Sequence, residues 1–247
     1  MPKNRNKYNG MFIMLDGLDG SGKSTIVGGI ADYFKKNNLK IFDLKKYWKK
    51  HKTYPELHEV LEADVILSAE PSSVWAGEAI RRELIHDHSA EKYSARLTAQ
   101  AFSIDRAILY RRVIIPALKV GKIVVQDRGV TTSLIYQPVQ NGKMPLGELL
   151  RLEGNSLALH WAPDILLVAD ITPQRAMERL ALRAEKKDQA IFERLSFQKK
   201  IYKRFKSGWF KSLMSRYGSK VLYLDASLPP QQMIKGAVEI LKQYVYK

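Results

Sequence analysis

The chain has 247 residues, 45% of them hydrophobic and 27% charged, the make-up of a globular protein with room for one sizeable core. No apolar run approaches the roughly 20 residues of a membrane-spanning helix. Cysteine is absent, which excludes a disulfide framework and thiolate metal sites and fits a reducing, cytoplasmic setting. The formal charge of +16 points to phosphate-bearing partners.

That charge is unevenly spread. Residues 35–52 hold eight lysines, and residues 183–220 hold twelve Lys or Arg against three acids. Part of the excess serves solubility, and part can serve a nucleotide site.

Residues 1–10 are polar and basic with no apolar core, so they read as a flexible leader rather than a secretory signal, and 11–247 as one domain. Met11 onward reads as a short apolar strand, then a glycine-rich turn, then a helix from about Thr25 to Asn37. Gly17, Gly22, Lys23 and Ser24 fit the phosphate-loop pattern G-x-x-x-x-G-K-[ST]. Glycines at this spacing, with Asp19, Gly20 and Ser21 between them, let successive backbone N–H groups turn inward on an anion. The following helix, opening at Ser24-Thr25, adds its positive end. Lys23 is expected on the β- and γ-phosphates of ATP, and the Ser24 hydroxyl on Mg²⁺.

Leu39–Leu44 reads as the next strand. Residues 45–63, basic and aromatic with Pro55, read as an excursion rather than a core element. Asp64–Pro71 is a buried strand, Ala76–His86 looks helical, and Ser89–Val120 is helix-rich, including Thr98–Arg112. Lys122–Arg128, Asp164–Asp170 and Val221–Asp225 are further strands. Thr172-Pro173 opens a helix, and Pro229–Tyr246 forms a closing one. Strands alternating with helices predict an α/β fold: a parallel β-sheet flanked by helices on both faces, of the phosphate-loop NTPase kind. Ligands bind such sheets beyond the carboxyl ends of the strands, where Glu70, Asp127, Arg128 and Asp170 fall.

Glu70-Pro71, Gly77-Glu-Ala-Ile-Arg81, Phe102-Ser-Ile-Asp-Arg106, Asp127-Arg128 and Ser133-Leu-Ile-Tyr-Gln137 follow the phosphate loop in order. This ordered set resembles the thymidylate kinase family of nucleoside monophosphate kinases, over about residues 12–240. The resemblance implies ATP-dependent phosphorylation of dTMP to dTDP with Mg²⁺. It assigns Arg128 to the acceptor phosphate, Arg106 to that phosphate or the base, and Phe102 to stacking on thymine. Asp127 goes to Mg²⁺ through water, and Asp19 to the acceptor phosphate or the sugar 3′-hydroxyl. Ser133, Tyr136 and neighbouring Gln137 fall where the family contacts deoxyribose and base. Glu70 either holds the metal indirectly or caps a turn. A lid at about 179–193 would carry Arg179 and Arg183 one helical turn apart, with Arg183 the expected catalytic arginine. A homodimer through helices, one containing Phe102–Arg112, is also implied.

The chain departs from the family pattern at Ser72-Ser73-Val74 (usually Gly-Gly-Thr), Ala69 (commonly basic), Gly129 (an aromatic or His) and Ala190-Ile191 (Asp-Arg). These departures leave open a kinase for another nucleotide or deoxynucleoside. A basic phosphate-loop switch protein that binds nucleic acid is the rival class. Retention of Phe102, Arg106 and Arg128 favours an acceptor-nucleotide pocket, so nucleic acid is not assigned as a partner.

Overall fold

The apolar runs become strands β1 (Met11–Gly17), β2 (Ile41–Asp43), β3 (Val65–Ala69), β4 (Ile123–Asp127), β5 (Ile165–Asp170) and β6 (Lys220–Asp225). All pair in parallel in one sheet, in the order β2-β3-β4-β1-β5-β6. This is a computed structural model, and it describes residues 9–85, 93–140, 144–182 and 195–245. β1, β3, β4 and β5 are buried on both faces, which is why they read as unbroken apolar runs rather than alternating ones.

The crossover after β1 runs to β2 on one side of the sheet, while β4 leads to β5 on the other. The neighbours β1 and β4 are therefore the point where the winding reverses, and a crevice opens at their carboxyl ends. Their register sets Leu15 beside Asp127. Helix α1 (Lys23–Lys36) follows the phosphate loop and buries Ile26, Ile30 and Phe34, which recur on one face. It stops as expected at Asn37, with Asn38 in the left-handed region at φ 62°.

Residues 45–63 differ from the expected excursion. Helices α2 (Leu44–His51) and α3 (Leu57–Leu61) form there, and Leu44, Trp48, Tyr54 and Val60 join the core at no more than 2% exposure. The lysines Lys46, Lys49 and Lys50 occupy the exposed face of α2, masking an amphipathic helix inside a charge run. Leu44 is the first helical residue, so the strand before it is shorter than predicted.

Helix α4 (Ala76–Ala79) runs into a π-turn at Ile80–Ile85. Helix α5 (Ala95–Leu109) continues through a π-turn, Tyr110–Ile114, into α6 (Ile115–Lys119). Pro116 lacks the N–H that would bond to Arg112, and the widened turn lies in the stretch it would disturb. Helices α7 (Val130–Tyr136), α8 (Leu146–Arg151), α9 (Glu153–His160), α11 (Leu195–Phe205) and α12 (Gly208–Arg216) were not assigned from sequence. The expected helices α10 (Pro173–Ala181) and α13 (Pro230–Val245) are present. Thr172 caps α10 by accepting from the Arg175 N–H.

Candidate active site

The phosphate loop bridges β1 and α1 at the mouth of the crevice. Gly20 sits at φ 82°, and a Cβ there would lie 2.2 Å from the Ala176 carbonyl oxygen, so both conformation and space demand glycine. Gly22, at φ 87°, is the residue from which α1 starts. Lys23 is 6% exposed, and its ammonium donates to the carbonyls of Gly17 (3.2 Å) and Leu18 (2.6 Å) and to Ser21 Oγ (3.4 Å). Burial, then the nearby Arg128 cation, brings its pKa down to about 8. Thr25 is exposed on the first turn of α1.

Ser24 and Asp127, both assigned to the metal, meet: Ser24 Oγ donates to Asp127 Oδ2 at 3.0 Å. The other carboxylate oxygen, Oδ1, is buried and has no hydrogen-bond partner among the described residues. Burial alone would raise the Asp127 pKa, but Lys45, Lys23 and Arg128 outweigh it and hold the group below the usual carboxylate range. A hydroxyl beside an ionised carboxylate with an open oxygen fits Mg²⁺. That ion takes oxygen ligands, often from one carboxylate plus substrate phosphates. Among the described residues there is no cluster of three acidic or histidine groups. Lys45, which sequence reading passed over inside its basic run, donates to the same Oδ2 at 3.1 Å.

Arg128 follows β4 with φ 67°, a strained setting for a residue with a side chain. Its N–H donates to Leu15 O at 2.8 Å, tying the strained turn to β1. The guanidinium pairs with Asp19 of the phosphate loop, lies 3.7 Å from Asp16, and sits 5.8 Å from the centre of the Tyr136 ring. Burial, the largest single influence, opposes its charge, but Asp19, Tyr136, Asp16 and Asp127 together outweigh it and push its pKa further up. Asp16 is fully buried and accepts from Thr131, Thr132 (2.8 Å) and the Gly17 N–H (2.8 Å). The carboxylate partners of Arg128 come from β1 and the phosphate loop, not from its sequence neighbour Asp127.

Arg106 is 1% exposed. It donates to Glu70 Oε2 (2.8 Å), Asn155 Oδ1, Ser133 Oγ (3.0 Å) and the Gly129 carbonyl (3.3 Å). Glu70 is therefore an ion-pair partner, also accepting from Gln126 Nε2 (3.0 Å), rather than a turn cap. Burial pushes the Glu70 pKa up, and Arg106 pulls it back. Asp105, the neighbour of Arg106 in sequence, accepts instead from Ser72 Oγ (2.6 Å) and the Ser72 N–H (2.8 Å). That is the structural use of Ser72 where the family pattern has glycine.

A cavity of about 340 Å³ gathers these groups. Asp19, Gly20, Gly22, Lys23, Ser24, Lys45, Glu70, Phe102, Arg106, Asp127, Arg128, Ser133, Tyr136 and Gln137 all line it. Gln137 is 3% exposed, and its Oε1 lacks a partner among the described residues. Residues missed from sequence are Lys45, Asp16, Gln126, Asn155 and Gln198, whose amide donates to Asp19 (3.5 Å). Gln126 and Asp16 were detectable as polar residues inside buried apolar strands. Asn155 and Gln198 carry no such signal.

Two strand-end or lid assignments fall elsewhere. Asp170 pairs with Lys206 (2.7 Å) and does not line the cavity. Arg179 is tied to the carbonyls of Ala226 (2.7 Å), Ser227 and Leu228 (both 3.2 Å), so it is anchored beside the phosphate loop rather than free to swing. Arg183 lies outside the described residues, as does most of the expected lid.

A phosphate loop at the sheet's switch point, with a carboxylate suited to a metal and an arginine held beside the loop by Asp19, defines a phosphate-loop nucleotide phosphotransferase. A family model described as Thymidylate kinase matches residues 50–235. A thymidylate kinase of Clostridium novyi is 28% identical, covering 94% of this chain and 98% of its own length. One of Anoxybacillus flavithermus is 25% identical, over 96% and 99%. A probable thymidylate kinase of Methanospirillum hungatei is 27% identical, over 94% of each. The chain belongs to the thymidylate kinase family. It is a nucleoside monophosphate kinase. No helix among the described residues is long and apolar enough to cross a membrane.

Proposed function

We propose that this enzyme moves the γ-phosphoryl group of ATP onto the 5′-phosphate of dTMP, giving ADP and dTDP. The observation that carries the reading is the meeting of Arg128 and Asp19. A planar cation suited to a phosphate is held by a carboxylate of the phosphate loop itself, so donor and acceptor cradles share one wall. A phosphate oxygen of dTMP attacks the γ-phosphorus, and the bond to the β-phosphate oxygen breaks. The attacking oxygen is already anionic, so no base is needed, and positioning with charge neutralisation does the work.

Lys23 leaves its loop carbonyls for the β- and γ-phosphates as ATP enters. Ser24 and Asp127 are the residues that would hold Mg²⁺, which would supply positive charge to the donor phosphates. Arg128 grips the acceptor phosphate, with Asp19 orienting it. Phe102 offers a ring for thymine, and the free Gln137 oxygen faces the same cavity. Arg106, fully occupied by its neighbours, shapes the pocket through Glu70 and Ser133. A homodimer through α5 is supported by two apolar side chains there, Leu97 (46% exposed) and Ile104 (57%).

The test is ADP release measured across dTMP, dUMP, dGMP, AMP and thymidine. The highest kcat/KM is expected with dTMP. A preference for thymidine or for a purine nucleotide would overturn the acceptor assignment.

A further inference from the structure

We propose that Lys45 is a further substrate-binding residue of this site: a phosphate-gripping cation, parked on Asp127 in the empty enzyme and transferred to the acceptor phosphate when nucleotides bind. The inference rests on the dTMP kinase reading above.

Lys45 reaches the cavity from outside the usual machinery. It lies on the first turn of α2, behind edge strand β2, and before the residues that the family description matches. Its backbone is fixed. Leu44 on one side and Trp48 a turn later are fully buried, and Asp43 caps the helix by accepting from the Lys46 N–H at 3.2 Å. β2 pairs with β3 as far as Asp43 beside Leu67, and α2 starts at the next residue, so Lys45 emerges at the carboxyl end of the sheet and its side chain lines the cavity. Ala69 lines the cavity next to Asp127 and offers only a methyl group there. The helix that follows the edge strand thus brings a charge to a wall where β3 ends in a methyl group.

The other cavity cations are committed. Arg106 is closed in a buried pair with Glu70, Arg81 donates to the carbonyls of Pro71 and Ser72, and Arg128, held by Asp19, is the one cation already assigned to the acceptor phosphate. Lys23 belongs to the donor phosphates. Lys45 differs in being rooted in the core at its backbone while its side chain is 47% exposed, so the four-carbon stem can turn. Its present partner, Asp127 Oδ2, also accepts from Ser24. A divalent cation at Ser24 and Asp127 would repel the ammonium and weaken that pairing. Lys23 serves the donor phosphates, whereas the acceptor phosphate, in the same cavity, has only Arg128 and still needs a second cation.

The experiment compares Lys45→Met, which keeps the stem and loses the charge, with wild type and Lys45→Arg. Dissociation constants are measured by calorimetry for dTMP and for thymidine, with and without Mg²⁺, alongside steady-state KM values. The expected result is that Lys45→Met weakens dTMP about 10- to 100-fold, the scale of one charge-assisted hydrogen bond. Thymidine binding should stay within about twofold, and Lys45→Arg should recover most of the loss. Equal affinity loss for dTMP and thymidine would assign Lys45 to pocket structure and overturn the proposal. So would unchanged dTMP binding with tighter Mg²⁺ binding, which would make Lys45 a mere placeholder for the metal. Failure of wild type itself to bind dTMP would instead reject the acceptor reading on which the proposal rests.

Discussion

The buried pair of Arg106 and Glu70 gives the sharpest prediction. Their side chains are 1% and 3% exposed and 2.7 Å apart. At an effective dielectric near 20, charges at that distance attract by about 6 kcal/mol, against several kcal/mol of lost hydration for each. Arg106→Met removes the attraction but leaves the Glu70 carboxylate buried, and also strips partners from Ser133 and Asn155. The expected cost is about 3–5 kcal/mol, the range for breaking such a pair. For a chain of this length that lowers the thermal midpoint by about 6–20 °C. Glu70→Gln in the same molecule removes the stranded charge, so the double variant should be more stable than Arg106→Met alone. The penalty should also shrink toward pH 5. Burial raises the folded pKa of Glu70, so without Arg106 the folded state holds a proton that the unfolded chain has lost, and its stability falls as pH rises. Unfolding followed by circular dichroism at pH 5 and pH 7 decides the matter. An Arg106→Met protein within about 1 kcal/mol of wild type, or strictly additive single variants, would refute the buried-network account.

Four further outcomes are expected. Lys23 must be charged to hold phosphate and has a pKa of about 8 in the empty enzyme, so kcat/KM for ATP should fall above that pH; a flat profile to pH 10 would contradict its burial. The same lowered value means the unfolded chain holds the proton up to about 10.5, so this group makes the empty protein more stable as pH rises from 8. Arg128→Ala should mainly raise KM for dTMP, because the proposed role has it grip the acceptor in ground and transition states alike; initial rates at saturating ATP check it. Trp48→Ala should destabilise by about 3–5 kcal/mol in chemical unfolding, since its ring is wholly buried against Tyr54; a neutral effect would return residues 45–63 to the status of a surface excursion.

The phosphate loop, the all-parallel sheet and the family were legible in the sequence because each depends on local pattern. Gly20 and Gly22 are demanded by backbone geometry within a few residues, and strands buried on both faces must be continuously apolar. Strand order then follows from few options, which is why Asp127 and Arg128 could be placed at a crevice before any coordinates. Residues 45–63 were misread because charge density hides a one-sided apolar stripe, and burial depends on what the other face meets. The partners of Arg106 and Arg128 were illegible for a different reason. Sequence distance favours Asp105 and Asp127, but the direction in which each side chain leaves its helix or strand end sends Arg106 to Glu70 and Arg128 to Asp19. Lys45 belongs to the same class: only the placing of α2 after edge strand β2 brings that lysine, among eight in its stretch, to the Asp127 carboxylate. Chemistry that needs a fixed backbone turn is written locally. Chemistry that needs two charges from distant segments is decided by the sheet and the helices packed on it.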